Sequence, residues 1–165
     1  MRRRTALLTT LAATAATALT AGCGFQLAAP PSYPFRRIAL TGFAPDSPLA
    51  ADLRRALARH VVIVPVPAEA DVVLQALVDK RERSAAATTA AGQVRELQLR
   101  LLATVRADTP TGRALMPPVA LRLVRELSTT ESATLAKTAE EAEIFREMQD
   151  DVVAQLLRRL AALPV

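Results

Sequence analysis

The sequence predicts an α+β domain, a two-layer sandwich in which two helices pack on one face of a roughly four-stranded sheet, in the order β-α-β-β-β-α. Two periodicities carry this prediction. Apolar and polar residues alternate through residues 94–107, which is typical of a half-buried strand, whereas apolar residues recur every three or four positions through residues 131–163, which is typical of an amphipathic helix. The chain of 165 residues is 51% hydrophobic but only 3% aromatic, so its core is expected to consist of Leu, Val and Ala.

The first 22 residues have the layout of a secretory signal peptide. Three arginines at positions 2–4 precede residues 5–22, which carry no charge. A transmembrane helix is the alternative, but this stretch is rich in Thr and Ala and no second apolar span follows it. Residues 20–23, Thr-Ala-Gly-Cys, resemble a lipobox, in which the Cys23 thiol receives a diacylglycerol. The alternative for Cys23 is a buried free cysteine. We predict a lipoprotein signal peptide over residues 1–22 and lipidation of Cys23.

Cleavage before Cys23 changes the charge of the chain. The precursor has a formal charge of +5, with 21 basic and 16 acidic residues, and removal of three arginines leaves 18 − 16 = +2. Gly24 rather than Asp follows the cysteine, and by resemblance to other lipoproteins this indicates the outer membrane. We therefore expect a lipid anchor on the periplasmic side of that membrane, a Pro-rich lipidated tether over residues 23–35 and a single domain over residues 36–165.

The first part of the domain is predicted to be a strand followed by a helix. Residues 36–42 form a short strand that ends at Gly42. Ser47 is placed to cap the next helix and Pro48 suits its first position. Residues 61–67 are β-branched but contain two prolines, so they form at most an edge segment. The helix is predicted to end near His60, with one apolar stripe made by Leu49, Leu53 and Leu57.

Three longer strands and a long helix follow. The strands are predicted at residues 70–83, 94–107 and 119–127, with hairpin connections at 84–92 and 108–112. Ser128 and Glu131 have the spacing of a capping box for the last helix, and Pro164 stops it. In the first of these strands, one face is expected to carry Val72, Leu74, Ala76 and Val78.

The sequence offers little for catalysis, cofactors or nucleic acid. One Cys and one His cannot supply a zinc site, and no Gly-rich phosphate loop is present. A hydrolase that uses His60 as a general base is the distant alternative, because no motif supplies a partner for it; a capping or surface histidine is favoured. Glu140, Glu141 and Glu143 splay around a helix and are expected to be solvated. No basic run or aromatic platform fits nucleic acid. We expect no enzyme activity, no metal and no cofactor.

The basic residues of two neighbouring predicted strands are the remaining candidate site. If the strands form a hairpin, several guanidinium groups share one face or edge. Such groups bind phosphate and carboxylate in a bidentate way, although charges on exterior strands also protect against edge-to-edge aggregation. Both interpretations stay open on this pattern. The first strand contributes Lys80, Arg81 and Arg83, and the second contributes Arg95, Arg100 and Arg106.

Short segments in a fixed order carry a family resemblance. They are residues 20–27 (TAGCGFQL), 37–40 (RIAL), 92–97 (GQVREL), 135–137 (LAK) with 140–141 (EE), 148–151 (MQDD) and 155–160 (QLLRRL). Taken together, they resemble the lipopolysaccharide-assembly lipoprotein LptE family. The resemblance covers essentially the whole mature chain. It implies two helices on a four-stranded sheet and a role without catalysis: such lipoproteins plug the lumen of the LptD outer-membrane β-barrel, assist its assembly and bind lipopolysaccharide.

The resemblance also ranks the cations as lipopolysaccharide ligands. Lys137 is the first candidate, followed by Arg95 and Arg83, with Arg81 and Lys80 in the same set. One departure concerns the turn before Gly92, which has no cation although relatives can carry one there. The alternative function is an accessory lipoprotein of another envelope lipid transporter.

Overall fold

A computed structural model describes residues 32–88, 90, 92–128 and 134–164. The predicted signal peptide, Cys23 and most of the predicted tether lie outside these residues. The strands are β1 (Arg37–Thr41), β2 (Val62–Ile63), β3 (Val72–Thr88), β4 (Val94–Asp108) and β5 (Ala114–Ser128), and the helices are α1 (Pro48–Leu57) and α2 (Thr134–Ala161). A 3₁₀ turn, Pro67–Glu69, follows β2.

The strands form one mixed sheet in the order β2-β1-β3-β4-β5. β1 runs parallel to β2 and to β3, whereas β3, β4 and β5 form an antiparallel meander. The predicted α+β fold with two helices is confirmed, with five strands in the described residues instead of roughly four. The additional strand is β2, which is two residues long and lies at the sheet edge, within the segment that the two prolines limited to an edge position.

The alternation predicted for β4 is confirmed. Leu99, Leu101, Ala103 and Val105 are at most 2% exposed and face the helices. The residues between them lie on the opposite face, which no helix covers in the described part of the chain; we call it the open face. A period of two therefore assigned residues 97–106 of this central strand to the correct side.

Two strands are longer than the sequence indicates. β3 continues to Thr88, through residues that were predicted to form a turn, because it pairs with β4 as far as Val94. β5 begins at Ala114 and so includes Pro117 and Pro118. The register with β4 shifts between Ala107 and Val105, opposite these prolines, so the bulge accommodates residues that cannot donate to a ladder.

Helix α1 begins as predicted. The Ser47 hydroxyl accepts a hydrogen bond from the backbone N–H of Ala50 at 3.0 Å, and Pro48 occupies the first turn. The same hydroxyl donates to Asp79 of β3 at 2.5 Å, which attaches the start of the helix to the sheet. The predicted apolar stripe is fully buried and consists of Leu49, Leu53 and Leu57.

Helix α2 has 28 residues, which corresponds to about 42 Å. The predicted capping role of Ser128 is wrong, because Ser128 lies in β5 and pairs with Glu96 of β4, six positions before the first helical residue. No helix in the described ranges is both long enough and apolar enough to cross a bilayer. The buried stripe of α2 includes Phe145, Met148, Val152, Leu156 and Leu160.

The core consists of two clusters of different size. The larger one joins both helices to β1, to the start of β3 and to parts of β4 and β5. The smaller one contains only Leu99, Leu127 and Phe145 as buried residues. It lies in what we call the distal half of the sheet, beyond the row formed by Lys80, Leu102 and Arg122. There β3 has a free edge within the described part of the chain, because β1 pairs with it only over residues 72–75.

Candidate functional site

A register shift in β3 decides which way its cations point. Ala76 pairs with Val105 and Val78 pairs with Thr104, so Leu77 is an extra residue on β3. After an extra residue, each later side chain of the strand lies on the face opposite to the one that strict alternation predicts. Val78 therefore lies on the open face, and its predicted placement beside Ala76 is wrong.

The same shift separates Lys80 from the two arginines that follow it. Arg81 pairs with Leu101 and Arg83 pairs with Leu99, both of which face the helices, whereas Lys80 pairs with Leu102 on the open face. Directly opposed residues of an antiparallel pair lie on the same face. The structure thus brings Arg81 and Arg83 towards α2 and places Lys80 on the other side of the sheet.

Arg81 lies in a polar network that joins β3 to both helices. Its guanidinium group donates to the side chain of Gln149 and lies 5.4 Å from the centroid of the Phe145 ring. Gln149 is only 4% exposed, and its amide donates in turn to Asp52 of α1. The guanidinium group supplies a hydrogen-bond donor to the side-chain oxygen of the buried Gln149. Arg81 therefore has a structural role in addition to any ligand contact.

Arg83 and Lys137 each have a carboxylate partner on α2. Arg83 lies 3.4 Å from Glu141, and the Lys137 ammonium group lies 2.8 Å from Glu140 one turn along the helix. Lys137 and Glu141 are four residues apart and therefore share the side of α2 on which Arg83 docks. These three residues form what we call the α2–β3 seam, at the free edge of the sheet.

The other candidate cations lie outside the seam. Arg95 is exposed and stands at a register shift near the end of the β3–β4 hairpin, between Val94 and Glu96. The predicted set is therefore not one cluster. Arg81 and Arg83 lie beside α2, Lys137 lies on the same side of α2, Arg95 lies at the end of the hairpin, and Lys80 lies on the open face. Cys23 lies outside the described residues.

The open face of the distal half is a mosaic of charges. Arg100 pairs across the strands with Glu82, at 3.9 Å, and Lys80 and Arg122 flank Leu102. Arg106, further along β4, contacts Asp108 at 2.9 Å. The six strand cations therefore do not share one face, and three of them have an acidic neighbour: Arg83, Arg100 and Arg106.

The sequence interpretation missed Gln149 and Asp52. Gln149 is the polar residue inside the otherwise apolar inner side of α2, and a buried amide at such a position needs a partner. That signal was present in the sequence, but its partner Asp52 is 97 residues away and was not accessible to periodicity. No group of three or more potential metal ligands occurs within the described ranges.

The fold and its charged, two-sided sheet define an α+β domain of the kind found in solved lipoproteins. The solution structure of uncharacterized lipoprotein B from Nitrosomonas europaea superposes with a TM-score of 0.69 at 29% identity, covering 84% of this chain and 91% of that one. The crystal structure of rare lipoprotein B from Shewanella oneidensis shares the fold, with a TM-score of 0.63 at 23% identity over 77% and 95% of the two chains.

The sequence comparisons identify the family. The family model LptE, described as lipopolysaccharide-assembly, matches residues 35–160. The LPS-assembly lipoprotein LptE of Photorhabdus laumondii is 30% identical over 145 residues, which is 86% of this chain and 79% of the relative. The chain belongs to the LptE family.

Proposed function

We propose that this protein is an outer-membrane lipoprotein of lipopolysaccharide transport, which plugs and helps to assemble the LptD β-barrel and binds lipopolysaccharide on its way to the outer leaflet. The observation that carries this proposal is the LptE family match over residues 35–160, nearly the whole described domain. A lipid on Cys23 would anchor the domain to the periplasmic side of the membrane.

The shape and polarity of the sheet support a role inside a barrel. The three long strands have 15 to 17 residues, which corresponds to about 50 Å. The lumen of an outer-membrane barrel is polar, and the open face offers it charged groups of both signs, among them Lys80, Glu82, Arg122 and Glu126. An apolar open face would have been unsuited to such a lumen.

The partner is tested by affinity purification from detergent-solubilised outer membranes, with a tag on the full-length chain. We expect one large β-barrel protein to be recovered in stoichiometric amount. Recovery of an inner-membrane transporter complex without a large barrel would instead support the alternative, an accessory lipoprotein of another envelope lipid transporter. Purification from cells that express only the tag supplies the background.

The α2–β3 seam is the part of the surface that we assign to lipopolysaccharide. The ion pairs that occupy Lys137 and Arg83 are partly exposed and contribute about 1 kcal/mol or less each. A phosphate group carries more negative charge and more acceptor oxygens than one carboxylate. We therefore expect a lipid A phosphate to replace Glu140 and Glu141 as the partner of these cations.

The Lys137→Asp variant is expected to bind lipopolysaccharide about tenfold more weakly while it remains folded, because it removes one charge-assisted contact and repels the phosphate. Binding is measured by titration of the full-length protein with purified lipopolysaccharide, and folding by circular dichroism. Lys137 is more than two-thirds buried, at 27% side-chain exposure, but pairs only within its own helix among the described residues.

Arg146→Asp is the matched control for this variant. Arg146 is also on α2 and also pairs with an acid in the adjacent turn, Glu143, but its side chain is 63% exposed. Both variants reverse one charge, and both break one ion pair between residues three positions apart on α2. Equal losses of affinity in the two variants would show that only the net charge of α2 matters and would remove Lys137 from the site.

A further inference from the structure

An open surface depression of about 490 Å³ lies beside the C-terminal end of α1, far along the fold from the β3–β4 hairpin end. It is formed where the chain leaves α1 and enters β2 at the sheet edge. We call it the Arg36–Arg59 cavity. Its lining residues are Arg36, Ala58, Arg59, His60, Val61 and Val62.

The positive charge of this cavity is not compensated within the described part of the chain. The guanidinium groups of Arg36 and Arg59 take part in no ion pair there. Asp71, the acid at the adjoining end of β3, is already engaged, because it accepts the backbone N–H groups of Arg36 and Arg37 at 3.0 and 2.9 Å and contacts the Arg37 guanidinium group at 3.2 Å. Although desolvation acts to raise the pKa of Asp71, these hydrogen bonds outweigh it and lower the pKa.

The helix end does not cancel this charge. A helix C-terminus carries an effective charge of about −0.5, against two full positive charges from Arg36 and Arg59. The backbone carbonyl of Leu57 already accepts hydrogen bonds from the N–H groups of His60 and Val61, both at 2.9 Å. An anion in the cavity would therefore meet a net positive field.

Apolar and aromatic groups adjoin the cations, as they do on protein surfaces that contact lipid. Val62, which lines the cavity, is 61% exposed and is one of the strongly exposed large hydrophobic residues of the described ranges. The ring of Tyr33 lies 5.8 Å from the ring of His60. Burial raises the pKa of Tyr33, so its phenol stays neutral and adds no negative charge.

The position of the cavity along the chain favours a membrane surface. Tyr33 follows Cys23 by only ten positions, which is a reach of at most about 36 Å. If Cys23 carries a lipid, the cavity is tethered close to the phospholipid headgroups. Lipid chains and a basic patch are the two signals that commonly act together at membranes.

We propose that the Arg36–Arg59 cavity binds the phosphate groups of anionic phospholipids in the leaflet that holds the lipid anchor. This inference rests on the lipid anchor of the proposed function, but not on the barrel or on lipopolysaccharide. Arg36 and Arg59 hold the phosphate, His60 supplies a ring N–H donor, and Val62 contacts the interface. The contact would orient the domain relative to the membrane.

The test uses the mature chain, residues 23–165, with Cys23→Ala, so that neither an acyl chain nor the arginines and apolar stretch of the predicted signal peptide contribute to binding. We expect it to cosediment with vesicles of equal parts phosphatidylcholine and phosphatidylglycerol, and not with phosphatidylcholine alone. Arg36→Gln or Arg59→Gln should each weaken partitioning about fivefold, and the double variant about 30-fold. Lysine at both positions keeps the charge and should retain most of the binding. Thermal melting verifies that each variant is folded.

Arg122→Gln on the open face of β5 removes the same charge elsewhere and should leave partitioning unchanged. Equal loss in this control, or absence of binding to the anionic vesicles, would overturn the proposal. Displacement by inorganic phosphate but not by sodium chloride of equal ionic strength would reassign the cavity to free phosphate and overturn the lipid assignment. The readout involves neither lipopolysaccharide nor a barrel. The phospholipid proposal can therefore fail while the proposed function holds, and the proposed function can fail while the phospholipid proposal holds.

Discussion

The Gly42→Ala substitution is expected to lower the free energy of unfolding by about 2–5 kcal/mol. Gly42 ends β1 with φ of +75°, and an alanine in this left-handed region costs about 1–2 kcal/mol. A Cβ atom at this position would also lie 2.3 Å from the carbonyl oxygen of Ala76, so the backbone of β3 would have to move. Overpacking of this kind costs a further 1–3 kcal/mol or so. Urea denaturation of both proteins measures the difference.

Gly112→Ala separates the two contributions. Gly112 lies in the β4–β5 turn with φ of +89°, but a Cβ atom there would meet nothing within 4 Å. This control should therefore lose only the conformational part, about 1–2 kcal/mol. If the two substitutions destabilise the protein equally, the close approach of β1 to β3 at Gly42 does not constrain the fold.

The second large effect is expected from Phe145→Ala, which should cost about 3–5 kcal/mol. Phe145 is 7% exposed and, among the side chains of α2 that the structure describes, is the one buried residue of the small distal cluster, where it packs with Leu99 and Leu127. The substitution also removes the ring on which Arg81 lies. Because the larger cluster remains intact, the loss of stability should be concentrated in the distal half of the sheet.

Hydrogen exchange resolves where the Phe145 substitution acts. We expect faster exchange in the distal parts of β4 and β5 and near-normal protection in α1 and β1. Phe145→Leu is the control, because it keeps an apolar side chain and should cost less than about 1.5 kcal/mol. Uniform loss of protection over the whole domain would contradict the division of the core into two clusters.

Local sequence patterns were sufficient to predict the structure wherever it depends on residues that are close together in the chain. The alternation in β4 held because both of its neighbours are strands and one of its faces is covered, so burial imposes a strict period of two. The start of α1 was predictable because a cap involves only residues up to three positions apart, Ser47 and Ala50. The stripe of α2 followed from its period, and Phe145 was part of that stripe.

The candidate site was predictable in composition but not in arrangement. The residues Arg81 and Arg83 were identified, but the extra residue at Leu77 exchanges the faces of β3, and no local signal in the sequence marks it. The length of β3 beyond Arg83 was missed for a similar reason. Residues 84–88 have small side chains and were predicted to form a turn. They form a strand because β4 supplies hydrogen-bond partners for them.

By itself, the sequence determined the fold class, the two helices, the face of β4 that is buried and the membership of the LptE family, because each depends on local periodicity or on residue identity. Only the tertiary structure decided where the cations point: Arg81 and Arg83 towards α2, Lys80 to the open face, and Arg36 with Arg59 into one cavity. Those positions follow from strand register and from contacts between residues far apart in the chain, which local periodicity does not encode. The charge of the chain was set by its composition, and its distribution was set by the fold.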